Sequence, residues 1–180
     1  MDRLHWVYSN TFIYTIDMQL TGKEIIKRGI VSGTCPEGVQ QQGVDVRISN
    51  IFKTTPGGFV PVTGKTFVPH TSPVPESGGV YVLSPGYYEV ELVEGCEIPS
   101  NCVLNFKTRS SLVRNGAIVH SGQFDAGFKT EHMGCFLQVN NYMSIEKYAR
   151  IAQAVITESY DVNESDLYNG QWQGDCQRKS

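Results

Sequence analysis

Between Thr54 and Gly79 the chain carries Pro56, Gly57, Gly58, Pro61, Gly64, Pro69, Pro73, Pro75, Gly78 and Gly79. No long helix or inner strand survives that density of breakers, because proline offers no ladder N–H and glycine pays heavily for ordering. Loops and short edge strands are what remain. Short β-type runs flank this segment on both sides. Val44-Asp45-Val46-Arg47-Ile48 alternates apolar and polar side chains, which predicts a half-buried strand. Val80–Leu83 and Tyr88–Val93 predict two more, broken at Ser84-Pro85-Gly86, and others follow at Asn101–Thr108, Ala117–His120, Cys135–Asn140 and Ile151–Ser159. Leu4 to Met18, rich in aromatic and β-branched residues, predicts one or two strands. Thr21-Gly22-Lys23-Glu24 has the form of a capping box opening one short helix that Gly29 ends. Short strands at near-regular spacing predict a mainly β chain, a sandwich, barrel or jelly roll.

Composition narrows the function classes. A chain of 180 residues with 40% hydrophobic and 11% aromatic side chains supports one real core and excludes disorder. Lys and Arg number 15 against 18 Asp and Glu, a net charge of −3, so no basic excess exists to neutralise a nucleic acid polymer. The longest uncharged stretch, His132 to Ile145, is too short and polar to span a membrane. Met1-Asp2-Arg3 is not followed by the apolar core of a signal peptide, which points to the cytoplasm. Cys35, Cys96, Cys102, Cys135 and Cys176 form no C-x-x-C pair, and the four histidines are scattered, so structural thiols are expected and no protein-held metal. Asn163-Glu164-Ser165 matches a glycosylation acceptor but carries no meaning without secretion. Gly64-Lys65-Thr66 matches the end of a phosphate-binding loop, yet its upstream glycine would fall at Phe59, which rejects it.

Chemistry concentrates further along. Thr108-Arg109-Ser110-Ser111-Leu112-Val113-Arg114-Asn115-Gly116 packs two guanidinium forks and hydroxyl donors into a compact set that suits phosphate oxygens. By itself such a set is also an ordinary basic surface loop. Phe124-Asp125-Ala126-Gly127-Phe128 follows, and a carboxylate there could orient an attacking water.

Taken in order, Gln42–Arg47, Arg109-Ser110-Ser111-Leu112-x-Arg114-x-Gly116, Asp125-Ala126-Gly127-Phe128 and Arg150-Ile151-Ala152-Gln153 resemble the trimeric dUTPase and dCTP deaminase superfamily. Leu20–Ile25 resembles the short helix that opens dCTP deaminases, and Tyr168–Gly174 their C-terminal signature. The resemblance implies a mainly β, dUTPase-like domain over 20–180, a distorted β-barrel or jelly roll with one or two short helices, together with an N-terminal extension over 1–19 and a C-terminal arm over about 160–180. By that resemblance Arg109, Ser110, Ser111, Arg114 and Gln153 would hold the triphosphate, and Asp125 would be the general base. Ser121, Gly122, Gln123 and Phe124 would read the base. Tyr160, Tyr168 and Gln173 would contact base or sugar, with Gln173 and Gly174 closing over the nucleotide. Asp45 would support the site without carrying a proton. A homotrimer with shared sites is implied, and Mg2+ held through the nucleotide phosphates.

Two departures set the sub-class. Deaminases of the family carry a Glu on the strand after the Asp motif; here the position falls on Val139, or on Gln138 if the register slips by one. Neither can shuttle a proton, whereas pyrophosphate-bond hydrolysis needs only the water-activating Asp and charge-stabilising donors. Glu131, in an exposed turn by its surroundings, is the nearest substitute. The stretch from His120 to Asp125 is also about two residues shorter than in typical deaminases, and Leu167 stands where they place a phosphate-contacting Lys. The expected activity is therefore a dUTP nucleotidohydrolase, a nucleoside triphosphate pyrophosphatase of nucleotide metabolism releasing dUMP and pyrophosphate. The alternatives are a dCTP deaminase, a bifunctional dCTP deaminase/dUTPase, and a non-catalytic nucleotide-binding or regulatory relative.

Overall fold

The computed structural model describes residues 18–68 and 70–174. The strands expected over 4–18 lie, Met18 apart, outside the described residues. The elements run α1 (Gly22–Lys27), β1 (Val31–Ser32), β2 (Val39–Gln40), β3 (Gly43–Thr54), β4 (Thr71–Pro73), β5 (Glu76–Ser77), β6 (Val80–Leu83) and β7 (Gly86–Leu92). There follow β8 (Gly95–Glu97), β9 (Cys102–Thr108), α2 (Ser110–Arg114), β10 (Ala117–His120), β11 (Lys129–Thr130), β12 (Gly134–Val139), β13 (Met143–Glu146) and β14 (Arg150–Glu158).

The main sheet has the strand order β10-β12-β7-β3-β14-β9, with β2 and β4 added beside β3. All of its pairings are antiparallel. The 12-residue β3 makes the corner: Val44 to Arg47 pair with β14, a register shift falls between Ile48 and Asn50, and Ile51 to Lys53 pair with β7. A bulge of this kind bends a strand and lets it serve two partners. The half-buried alternation expected there gives way to burial on both faces over its first half: Val44, Asp45 and Val46 are all buried. Gly22 explains part of the cover, since a Cβ there would collide with the carbonyls of Gln40 and Gly43, so α1 rests directly on the sheet.

The two edge strands meet. Thr108 on β9 donates its hydroxyl to the Val119 carbonyl at 3.2 Å and accepts from the Val119 N–H at 3.0 Å. Phe124 and Leu104 then exchange both backbone bonds at 3.0 Å. The sheet thus closes into a barrel around Ile48, Val90, Leu92, Leu104, Leu137, Ile151 and Ile156, all essentially inaccessible.

Helix α1 begins as expected: Thr21 Oγ1 accepts from the Glu24 N–H at 3.3 Å. Reciprocity fails, because the Glu24 carboxylate accepts from Arg28 Nε at 2.8 Å. Gly29, at φ 68°, and Ile30 close the helix onto the carbonyls of Ile26 and Ile25. The basic stretch after Thr108 is not a plain loop, since Ser110–Arg114 forms α2.

Candidate active site

Asp125 sits just past the barrel closure, where Phe124 is buried against Phe106 and Phe128 in edge-to-face contacts. Its carbonyl accepts from the Phe128 N–H at 3.0 Å, making a turn with Gly127 at φ 85°. A Cβ at Gly127 would lie 2.8 Å from Leu167 Cβ, so only glycine lets the C-terminal arm pack this close. The arm docks there through the Tyr168 N–H, which donates to the Ala126 carbonyl at 2.8 Å. The Asp125 side chain is exposed, and Gln123 Nε2 donates to its Oδ1 at 2.9 Å.

A cavity of about 380 Å³ opens in front of this turn. Gly122, Gln123, Phe124 and Asp125 line it from the segment after β10, Glu89 and Phe136 from the sheet, and Val68, Tyr168 and Trp172 from more distant chain. Apolar walls with a few polar groups suit a flat heterocycle with a polar edge. Sequence reasoning did not single out Val68, Glu89, Cys135, Phe136 or Trp172 for this cavity. Phe136 left a signal, as an aromatic on the outward positions of β12.

A second cluster gathers at the far end of β9. Asp45 is buried, and its Oδ2 lies 3.3 Å from Arg109 Nε and 3.4 Å from Arg150 Nη1. Burial pushes the Asp45 carboxyl above the ordinary carboxylate range, while the two arginines pull it back. Arg109 Nη1 also donates to the Arg150 carbonyl at 3.1 Å, and Arg150 Nη1 to the Glu37 carbonyl. Gln153 pairs across the ladder with Asp45, and Gly43 leaves room for it, since a Cβ there would lie 2.7 Å from Gln153 Cγ. Ser110, Ser111 and Arg114 stand exposed on α2 beside this cluster.

The two clusters do not meet within one chain. Leu104 marks the Asp125 end of β9, and roughly 16 Å of extended backbone, at ~3.3 Å per residue, leads from it to Arg109. Nor does every expected contact reach the cavity. Ser121 lines a separate depression with His120, Lys107 and Asn105, and Tyr160 is 74% exposed. Gln173 braces the turn, donating to the Gly127 carbonyl at 2.8 Å and accepting from the Lys129 N–H at 3.1 Å.

A family model described as dCTP deaminase-like matches residues 17–159. The chain belongs to the dCTP deaminase-like family. A Methanocaldococcus jannaschii protein named deoxyuridine 5'-triphosphate nucleotidohydrolase is 34% identical over 143 residues, 77% of this chain and 88% of that protein. Proteins named probable deoxyuridine 5'-triphosphate nucleotidohydrolase are 29% identical in Halobacterium salinarum (79% of this chain, 87% of that one) and in Aeropyrum pernix (88% and 99%). Among solved structures, the 2'-deoxycytidine 5'-triphosphate deaminase of Agrobacterium tumefaciens superposes with a TM-score of 0.59 at 17% identity, covering 82% of this chain. This chain spans half the length of that deaminase, and the likeness speaks for the fold.

Within this dCTP deaminase-like chain, neither register supplies a carboxylate at the strand glutamate position. Val139 is buried in the core, while Gln138 faces outward and its Oε1 lies 3.0 Å from His120 Nε2. Glu131 is exposed in a bend and lines no part of the Asp125 cavity. Leu167 packs over Gly127.

Proposed function

We propose that this chain hydrolyses dUTP to dUMP and pyrophosphate. A water held by the Asp125 carboxylate attacks the α-phosphorus and gives its proton to that carboxylate. The bond from the α-phosphorus to the bridging oxygen breaks, and pyrophosphate leaves. Arg109, Arg114 and the Ser110 and Ser111 hydroxyls take up charge on the phosphate oxygens, and Gln153 contacts the same group. Gly122, Gln123 and Phe124 meet the pyrimidine, while Tyr168 flanks it and Gln173 braces the turn beneath.

Asp125, set against the missing strand carboxylate at Val139 or Gln138, carries this reading. The cavity keeps the carboxylate that water activation needs, and neither Val139 nor Gln138 offers the acid that deamination would need. The names of the archaeal relatives agree with it.

Two copies share each site in this reading, because Arg109 turns toward Asp45 at one end of β9 while Asp125 opens at the other. A homotrimer satisfies that need. Among the described residues no group of three or more His, Cys, Asp or Glu is placed to cage a cation. Mg2+ would ride on the nucleotide phosphates, where it neutralises their charge. The enzyme would act in the cytoplasm.

Asp125→Asn is the direct test. It removes the base while keeping shape, so turnover should fall by a factor of at least ~10³ with nucleotide affinity nearly unchanged. Wild-type turnover in that variant would exclude Asp125 as the base.

A further inference from the structure

The glycine- and proline-rich stretch after β3 is folded. Phe59 and Phe67 exchange both backbone bonds, at 3.0 and 2.9 Å, which draws 59–67 into a narrow ribbon. Thr55 Oγ1 donates to the His70 carbonyl at 2.5 Å and gathers the ribbon's base. Its apolar side chains stay outside, with Phe59 63% and Phe67 56% exposed, so burial of its own side chains does little to hold it.

The C-terminal arm holds it instead. Gln171 Oε1 accepts from the Thr66 N–H at 3.1 Å, and Gln171 Nε2 donates to the Thr66 carbonyl at 3.1 Å. One amide side chain thereby imitates a strand partner across 105 residues of sequence. Next to this clamp on the arm stands Trp172, and just past it on the ribbon stands Val68. Both line the Asp125 cavity. The Trp172 N–H also donates to the Tyr168 hydroxyl at 3.2 Å, so the arm's own geometry is fixed where it meets the ribbon.

We propose that Gln171 is a positioning residue: it fastens the ribbon to the C-terminal arm so that Val68 and Trp172 form one wall of the deoxynucleotide pocket. This rests on the reading of the cavity as the nucleotide site. The wall is made when ribbon and arm are joined, and loosening either one opens the pocket without touching Asp125 or the phosphate-binding arginines. A ligand that fills the pocket stabilises the joined state, and losing the clamp weakens that ligand.

The test uses the full chain carrying Trp6→Phe, which leaves Trp172 as its single tryptophan. The probes are dUTP with Mg2+ for turnover and its non-hydrolysable α,β-imido analogue for binding. Gln171→Ala should raise KM for dUTP about tenfold, the loss of two amide bonds, while kcat changes less than about threefold. The analogue should shift Trp172 emission and slow amide exchange over 59–67 in the parent, and do both less in the variant. Unchanged KM in a variant whose ribbon exchanges faster would overturn the proposal, because the ribbon would then not belong to the pocket. A parallel fall in kcat with loss of assembly would overturn it too, by making Gln171 a structural brace. If the parent neither binds the analogue nor turns over dUTP, the functional reading falls first and this proposal with it. If the parent does both and Gln171→Ala matches it, only the clamp falls.

Discussion

The Nε of Arg109 lies 3.3 Å from Oδ2 of Asp45, a buried carboxylate whose same oxygen lies 3.4 Å from Arg150 Nη1. The arginine proposed to grip phosphate is thus already aimed before any anion arrives. Asp45 spends its charge on orientation and has no route to the Asp125 cavity.

Asp45→Asn should therefore raise KM for dUTP several-fold, on the order of 3–10 for a lost charge-assisted contact, with kcat within about twofold. Stability carries a second signature. Burial raises the carboxyl's folded pKa above its unfolded value, so native Asp45 binds its proton more tightly. Its contribution is full at acid pH and is lost as pH rises from the ordinary carboxylate range, about 4, through the raised folded value. The melting temperature of wild type relative to Asp45→Asn should decline across that window. A difference that is flat in pH, or that grows with it, contradicts this account of Asp45.

Mixing two inactive variants tests the shared site. Asp125→Asn chains retain the arginine cluster, and Arg109→Ala chains retain the base. After subunit exchange, sites pairing an intact Asp125 with an intact Arg109 from another copy should restore about a quarter of wild-type activity, as random assembly dictates. Complementation absent from verified mixed oligomers would place both groups in one chain.

Glu89 is the carboxylate that shares the cavity lining with Asp125, and no motif in the sequence singles it out. Water activation at the α-phosphorus does not require it. Glu89→Gln should keep dUTP turnover within about threefold while altering preference among pyrimidine bases, read as the ratio of kcat/KM for dUTP and dCTP. A loss of dUTP turnover as deep as that of Asp125→Asn would make Glu89 part of the hydrolytic machinery.

Much of the barrel was legible because period-two patterns are local: Ala117–His120 matches its strand, and β6, β7, β9, β12 and β14 lie within a residue or two of expectation. Strands of two or three residues, such as β1, β8 and β11, are too short to show a period. Helix α2 escaped for a different reason, since Arg109 at its N-cap makes no side-chain capping bond and five residues carry little propensity. The partner switch in β3 and the closure through Thr108 are tertiary events that no local pattern encodes. Asp125 and the arginines were singled out by motifs in a fixed order along the chain. The cavity wall of Val68 and Trp172 was not, because those residues meet only once the ribbon and arm are folded.

Pyrophosphate and ammonia release, followed together for dUTP, dCTP and the other deoxynucleoside triphosphates with Mg2+, tests the central claim most directly. The Asp125 cavity, with no carboxylate at Val139 or Gln138, predicts stoichiometric dUMP and pyrophosphate from dUTP and no ammonia from dCTP. Ammonia from dCTP, or binding of dUTP without pyrophosphate release from any member of the panel, would contradict it.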